Sequence, residues 1–369
     1  MYEYYKDELY ILNKSNRLRN RKLFSKKLLD LASNDYLGIA TNKALAKKAT
    51  SKFLQEYNYS PKASVLVNGY SKIHQKFEKK LAKINGFEAG ITVGSGFLAN
   101  ISLIESMVRK QDILFIDEEY HASGILATKL PAGEVIVFKH NNIKDLKEKI
   151  NTHTINKKRV LIAIEGVYSM GGDIAPKEIY DIAKKHNALL IVDEAHSSGV
   201  IGESLLGWFD HFNLPIEKNH IKMGTLGKAY GSYGAYILAS KHIIKYLENR
   251  AKPIIYSTAL SLFDVIQGYE NLKHIQKNKK SLKKKIDTKQ KLVTKYLEIA
   301  PKSLIVPIII NDNKKVLEIQ EYLLKKGFIV GAIRQPTVKK AILRLIIKLD
   351  ISNKKLIKLL QLIKEQSNG

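Results

Sequence analysis

The sequence predicts an α/β protein, with a mostly parallel central sheet carrying helices on both faces and a smaller α/β domain at the C-terminal end. Three observations lead there. Between Asp112 and Ala239 short apolar runs alternate with helical stretches, the pattern of strands buried on both faces. Polar clusters follow several of those runs directly, at the strand ends where ligands gather in such sheets. Beyond about residue 245 the chain turns helical and basic, then gives three more candidate strands. The expected organisation is an N-terminal segment over 1–40, a large domain over 41–245 and a small domain over 246–369.

In chain order, the first 40 residues hold a basic, helical lead-in containing Arg17, Arg19 and Arg21, then a short strand and a loop through Leu28 to Gly38. Helical periodicity dominates from about 41 to 110, broken at Gly94-Ser95-Gly96. Glycines before Phe97 to Ile101 mark a helix N-terminus, whose unpaired N–H groups and positive dipole suit a phosphate. The predicted strands of the large domain are Ile113 to Ile116, Val135 to Phe138, Val160 to Ile164, Leu189 to Val192, Ile221 to Met223 and Ala235 to Leu238. Polar residues cluster after three of them, at Asp117 to His121, Glu165 to Ser169 and Asp193 to His196. In the small domain the candidates are Ser303 to Ile310, Phe328 to Ile333 and Ala341 to Ile347.

Composition narrows the function. Without cysteine there are neither disulfides nor thiolate metal sites, and no two histidines are spaced His-x-x-x-His, so metal chemistry is not expected. The start of the chain lacks the apolar core of a secretory signal, and the uncharged run Ala89 to Ile104 is too short to span a bilayer, so a cytoplasmic protein without membrane contact is expected. The net charge of +27 invites a nucleic-acid reading, but it comes from 54 Lys and only 8 Arg spread end to end, and bidentate recognition of phosphates and bases favours Arg. Leu272, Ile275, Leu282 and Ile286 stand at helical spacing within the densest basic run, Lys273 to Lys291, whose lysines then form a solvated helix face. Asp193-Glu194-Ala195-His196 spells a helicase acid box, yet the phosphate loop such an enzyme needs upstream is missing.

The residue that stands out is Lys228, in Thr225-Leu226-Gly227-Lys228-Ala229-Tyr230-Gly231. It sits between apolar runs and beside glycines that admit close backbone approach. Desolvation turns a lysine amine into a nucleophile whose characteristic product is a Schiff base with a carbonyl, that of pyridoxal phosphate (PLP) included. Arg344, one of two arginines beyond residue 250, is flanked by apolar residues, and an arginine so placed needs an anionic partner.

Taken together, Asn34-Asp35-Tyr36-Leu37-Gly38, Gly69-Tyr70-Ser71, Ser95-Gly96-Phe97, His121-Ala122-Ser123, the segment Glu165 to Asp173, Asp193 to His196, Thr225 to Lys228 and Tyr256-Ser257-Thr258 resemble the α-oxoamine synthases, in the family's order and over nearly the whole chain. These are PLP enzymes of the aspartate aminotransferase-like fold type I that join an amino acid to an acyl thioester. The resemblance implies that Lys228 carries the cofactor, that Asp193 holds the ring nitrogen protonated, that His121 stacks on the ring, and that His196 and Ser169 meet its phenolic oxygen. Lys228, His121, Asp193 and His196 form the implied catalytic set. Phosphate contacts would come from the N–H groups of Gly96 and Phe97, the Thr225 hydroxyl, and Ser257 and Thr258 of the partner subunit in a homodimer. Arg344, with Asn34, would hold the amino-acid carboxylate, and Glu165 joins the substrate-binding set.

Within the family, Ile333-Arg334-Gln335-Pro336-Thr337-Val338 is similar to the Ile-Arg-Pro-Pro-Thr-Val segment of the biotin-pathway members, Gln335 being the departure. The likeness implies L-alanine and a pimeloyl thioester as substrates, on coenzyme A or acyl carrier protein, with Arg334 and Thr337 on the acyl part. Arg19 would lie near the pimeloyl end, with Arg21 as the alternative. The acetyltransferase and aminolevulinate branches of the family are the competing readings.

Overall fold

The computed structural model describes residues 2–15, 17–56 and 58–368. Its central sheet has seven strands: β2 (Ala89–Val93), β3 (Ile113–Asp117), β4 (Glu134–Phe138), β5 (Val160–Glu165), β6 (Leu189–Asp193), β7 (His220–Thr225) and β8 (Ala235–Ala239). Their order across the sheet is β2-β8-β7-β6-β5-β3-β4. All pairings are parallel except those of β8, which runs antiparallel to both β2 and β7. The six expected strands are present. β2 departs from the expected helical run over 41–110: Ala89, Ile91 and Val93 alternate with Gly90 and Thr92, but this period-2 signal is only five residues long, and pairing with β8 over Ala89↔Ala239 to Val93↔Ala235 holds it.

Two apolar layers cover the sheet. On one side Ile91, Ile116 and Ile191 pack with Leu103 and Met107 of helix Gly96–Met107 and with Ile244 and Leu247 of helix Lys241–Arg250. On the other, Phe115, Ile162, Ile164 and Val192 meet Tyr168, Trp208 and the 36-residue helix Leu262–Leu297, about 54 Å long at 1.5 Å per residue. That helix buries Leu272, Ile275, Leu282 and Ile286 and turns most of its lysines outward, as its spacing predicts. Lys289 is the exception, buried and donating to the Ile351 carbonyl. Helix Lys241–Arg250 crosses residue 245 while packed in the large-domain core, so we place the division between domains further on, along the long helix.

The small domain has an antiparallel sheet of β9 (Ile305–Ile309), β11 (Gly331–Ile333) and β12 (Ile342–Ile346), in the order β11-β12-β9, backed by helices Asn313–Lys325 and Asn353–Asn368. The N-terminal segment belongs to it structurally. Strand β1 (Leu29–Asp30) pairs in parallel with β10 (Phe328–Ile329), and the amides of Ile346 and Leu349 donate to the carbonyls of Leu31 and Tyr36. The lead-in helix Tyr2–Lys14 ends before the arginines expected within it: Arg17, Arg19 and Arg21 follow in irregular chain.

Candidate active site

Four parallel strands end at one edge, and each hands its chain to a functional loop. β3 leads to His121, β5 ends on Glu165 and leads to Ser169, β6 ends on Asp193 and leads to His196, and β7 ends on Thr225 and leads to Lys228. Glu165 and Asp193 are register partners on adjacent strands, so two buried carboxylates lie side by side. A Cβ on Gly172 would fall 2.5 Å from the Ile305 carbonyl, and its φ is +68°, so only glycine lets the loop after β5 lie against β9. The Ser303 hydroxyl donates to the Gly172 carbonyl at 2.8 Å and ties that loop to the small domain.

Lys228 is half-buried, its Nζ 2.7 Å from His196 Nε2. Burial lowers its amine to about 8, against the charges of Asp193 and Glu165, which raise it. At pH 7 roughly one amine in ten is then neutral, where an ordinary lysine has about one in three thousand. His196 Nδ1 lies 2.5 Å from the Tyr36 hydroxyl. Tyr36 also donates to Asn34 Oδ1 at 3.4 Å, so it receives the His196 Nδ1 proton, and Nε2 accepts from Lys228. Burial pushes His196 well below its ordinary range, aided by Lys228 and Arg344, and keeps it neutral.

Asn34 Oδ1 also accepts from Arg344 Nη2 at 3.1 Å, and Arg344 Nε donates to the Ser169 carbonyl at 2.8 Å. Arg344 lies on β12, 6% exposed, and among the described residues it forms no ion pair. A buried guanidinium held only by neutral oxygens is a site for an anion.

Asp193 is 3% exposed and accepts from Asn100 Nδ2 at 2.9 Å and from the Ala195 amide at 2.9 Å. Glu165 accepts the Ser169 amide on Oε2, while its Oε1 is buried without a partner; burial raises it well above the usual carboxylate range, and Asp193 adds to this. Helix Gly96–Met107 opens toward Thr225: a Cβ on Gly96 would meet only the Thr225 side chain, at 4.0 Å. The Ser95 hydroxyl caps the Leu98 amide, and the amides of Gly96 and Phe97 lie in the first turn, where no intrahelical acceptor exists. These groups fit PLP: free amides at a helix N-terminus for a phosphate, a buried carboxylate for a pyridinium nitrogen, a desolvated amine, and an unpartnered Glu165 oxygen.

Known proteins similar to this chain identify its family. The family model for aminotransferases of class I and II matches residues 26–363. An 8-amino-7-oxononanoate synthase of Helicobacter pylori (strain ATCC 700392 / 26695) is 44% identical over 345 residues, which are 93% of this chain and 92% of the relative. The chain belongs to the class I and II aminotransferases, among the 8-amino-7-oxononanoate synthases. The Petrotoga mobilis relative of the same name is 37% identical, over 85% of this chain and 81% of its own. Among solved structures, a serine palmitoyltransferase of S. paucimobilis with bound PLP superposes with a TM-score of 0.88 at 22% identity, covering 98% of this chain and 96% of that one, which shows the shared fold. The 8-amino-7-oxononanoate synthase of Francisella tularensis gives 0.77 at 26% identity, covering 93% of this chain and 99% of its own.

The expected site residues divide into three groups. Lys228, His196, Asp193, His121, Glu165 and Ser169 converge at the strand ends, and Asn34 and Arg344 join them from the N-terminal loop and β12. Arg19 reaches the rim, its Nη2 3.4 Å from Thr337 Oγ1, and lines with Arg334 a groove of about 810 Å³. Ser257 and Thr258 stand apart: Thr258 is exposed, and among the described residues neither hydroxyl makes a hydrogen bond within the chain. Two of the expected cofactor contacts also have partners within the chain. The ring nitrogens of His196 meet Lys228 and Tyr36. The Thr225 hydroxyl donates to the Gly234 carbonyl at 3.0 Å.

Sequence reasoning gives no role to Tyr36, Asn100 or His140. A buried Tyr36 has a signal only in its quoted neighbours, Asn34 and Asp35. Asn100 has a clearer one, being polar on an apolar helix, where burial demands partners. His140 lies 2.9 Å from Asp117 and 2.8 Å from Asp173, edge-on to Tyr168. Burial lowers its pKa, but hydrogen bonds to the two carboxylates prevail and hold it at about 10.

Proposed function

We propose that the chain catalyses the decarboxylative condensation of L-alanine with a pimeloyl thioester, releasing carbon dioxide and the thiol and forming 8-amino-7-oxononanoate in biotin biosynthesis. PLP is the cofactor, and the enzyme is an acyltransferase. The observation that carries the reading is Arg344, a buried guanidinium with only neutral partners, reaching through Asn34, Tyr36 and His196 to the amine of Lys228 in a chain 44% identical to enzymes of that name.

Bound PLP supplies a carbon that amines can occupy and a protonated pyridine ring that draws off the electron pair released at the substrate's Cα. The protein does the rest. Arg344 and Asn34 hold the alanine carboxylate, the group lost as carbon dioxide. Lys228, with its lowered pKa, takes the Cα proton and later returns one. His196 and Tyr36 hold that amine in position through two hydrogen bonds. Asp193 keeps the ring nitrogen protonated from its dry, doubly donated position, and His121 covers the ring face. The first-turn amides of Gly96 and Phe97 would take the phosphate, with the Thr225 side chain beside Gly96.

The acyl chain has a cleft of about 790 Å³ lined by His121, Leu126, Lys129, Met170, Thr337 and Lys339. Arg19, Arg334 and Thr337 at its rim would receive the far end of the pimeloyl group. A homodimer is supported by the exposed Tyr256 and Thr258, whose hydroxyls make no hydrogen bond among the described residues. No helix among the described residues is long and apolar enough to cross a membrane, in keeping with a cytoplasmic enzyme. The test is a panel of amino acids and acyl thioesters on the purified protein, followed by product mass. Alanine with a pimeloyl donor should give the highest kcat/KM; preference for glycine with an acetyl or succinyl donor would move the chain to another branch.

A further inference from the structure

We propose that Asn100 and Ser123 are positioning residues that lock Asp193 and His121 into one unit and fix His121 as the neutral imidazole with its proton on Nε2. The inference rests on the reading that Asp193 and His121 face the ring of PLP, and it concerns two residues outside that reading.

Asn100 lies one turn beyond Gly96 on helix Gly96–Met107 and is 1% exposed. Its Nδ2 donates to Asp193 Oδ2 at 2.9 Å and to Ser123 Oγ at 3.0 Å, and its Oδ1 accepts the Tyr120 hydroxyl at 2.9 Å. Both N–H donors are thus used. Flipping the amide would set its oxygen against a carboxylate, so its orientation is determined by the network. Tyr120 reaches this position because residue 124 is glycine: a Cβ there would fall 2.1 Å from the tyrosine ring.

Ser123 Oγ accepts from Asn100, which leaves its own proton for His121 Nδ1 at 2.7 Å. The Ser123 amide donates to the same nitrogen at 3.2 Å. A ring nitrogen that receives two donors carries no proton, and the single remaining proton sits on Nε2. The charged surroundings agree: burial lowers the His121 pKa, Asp193 opposes this and Lys228 lowers it further.

The consequence for the site is electrostatic. A cation against the pyridine ring would oppose the protonation that Asp193 would maintain at the ring nitrogen. Asn100 therefore serves both ends of one requirement, holding Asp193 as the ring's anion and, through Ser123, keeping His121 uncharged.

The experiment is nitrogen-15 NMR of the imidazoles in the apoenzyme, with His121 assigned by comparison with His121→Gln, together with PLP dissociation constants measured by absorbance. Wild type and Ser123→Thr should show the Nε2–H form. Ser123→Ala should show a mixture of tautomers and bind PLP about three- to tenfold more weakly, the range expected for one net hydrogen bond. Asn100→Leu should bind it more weakly still, because Asp193 loses a donor as well. Protonation of wild-type His121 on Nδ1 at neutral pH, or a Ser123→Ala variant indistinguishable from wild type in both measurements, would overturn the proposal. A wild-type protein that takes up no PLP would defeat the cofactor reading, while the apoenzyme spectra would still decide this one.

Discussion

Replacing Arg344 by methionine separates recognition from folding, and the structure sets both magnitudes. In the substrate complex the guanidinium would meet a carboxylate in a dry site, and truncating one partner of such a pair costs about 2–5 kcal/mol. That predicts a fall of roughly 30- to 5000-fold in kcat/KM for alanine. Stability should behave differently. Exchanging buried ionic groups for packed apolar ones is often neutral or gains about 1–4 kcal/mol, and the same relief of desolvation applies to a lone buried guanidinium. Here the gain is offset by the Ser169 carbonyl, which loses its Arg344 donor and costs about 1–3 kcal/mol as an unmatched acceptor. Asn34 keeps the Tyr36 hydroxyl. The two effects nearly cancel, so the melting temperature should move little while alanine turnover collapses. Arg344 also lowers the Lys228 pKa, so wild type and the Arg344→Met variant should differ in the pH at which the apoenzyme amine deprotonates, the variant being higher. Steady-state kinetics, calorimetry and a pH series of PLP capture cover the three readouts. A loss of stability of about 3–5 kcal/mol, as when a buried ion pair is broken, would refute the argument that Arg344 stands without an anion.

Lys228→Ala should abolish turnover and leave the melting profile intact; in the wild type, PLP capture by the apoenzyme should quicken as pH rises toward about 8, where the amine becomes neutral, and then level off. A pH-independent capture rate between about 6 and about 9 would contradict the lowered amine. For His140 the folded pKa, about 10, lies above the unfolded value, so its contribution is fully present below about 6.5 and is lost as pH rises through about 10. The stability difference between wild type and His140→Gln should therefore shrink across that window, and a constant difference by denaturation at several pH values would exclude the carboxylate clamp. Finally, Lys129, Lys339, Arg19 and Lys22 line the cleft and groove, with Lys339 partly neutralised by Glu118. If this field attracts an acidic carrier protein, kcat/KM with pimeloyl-carrier protein should fall more steeply with salt than with pimeloyl-coenzyme A; equal slopes would place the charge outside donor capture.

The parts legible in the sequence are those governed by local rules. Val160 to Ile164 and Leu189 to Val192 read as strands because both faces are buried, and Glu165 and Asp193 then have to emerge at the same sheet edge. The glycines before Phe97 mark a helix start, and Lys228 is conspicuous as an amine among small and apolar residues. β2 is hard to read because its alternation of Ala89, Ile91 and Val93 with Gly90 and Thr92 spans only five residues beside long helical stretches, and its fit depends on β8, which lies more than a hundred residues away. The arginines at 17–21 read as part of a helix that in fact stops at Lys14, since nothing in a polar, lysine-rich stretch marks where backbone hydrogen bonding ends.

Long-range hydrogen bonding explains what is missed at the site. Arg344 can be suspected from its apolar neighbours and Lys228 from its glycines, but nothing local says that a tyrosine 160 residues upstream holds His196. The loop over Asp30 to Gly38 makes that link. Its backbone joins Ile346 of β12 through Leu31 and Leu349 just beyond it through Tyr36, and buried Lys348 lies 3.7–3.9 Å from Asp30, Asp35 and Asp350, so the loop is tied to the small domain by charge as well as by amides. From that anchorage it extends Asn34 to Arg344 and Tyr36 to His196, one side chain toward the buried guanidinium and the other toward the histidine that meets Lys228. A displacement of this loop changes both ends together. The alignment of the Arg344 guanidinium with the Lys228 amine is consequently a property of how the small domain seats on the large one, which no single motif encodes.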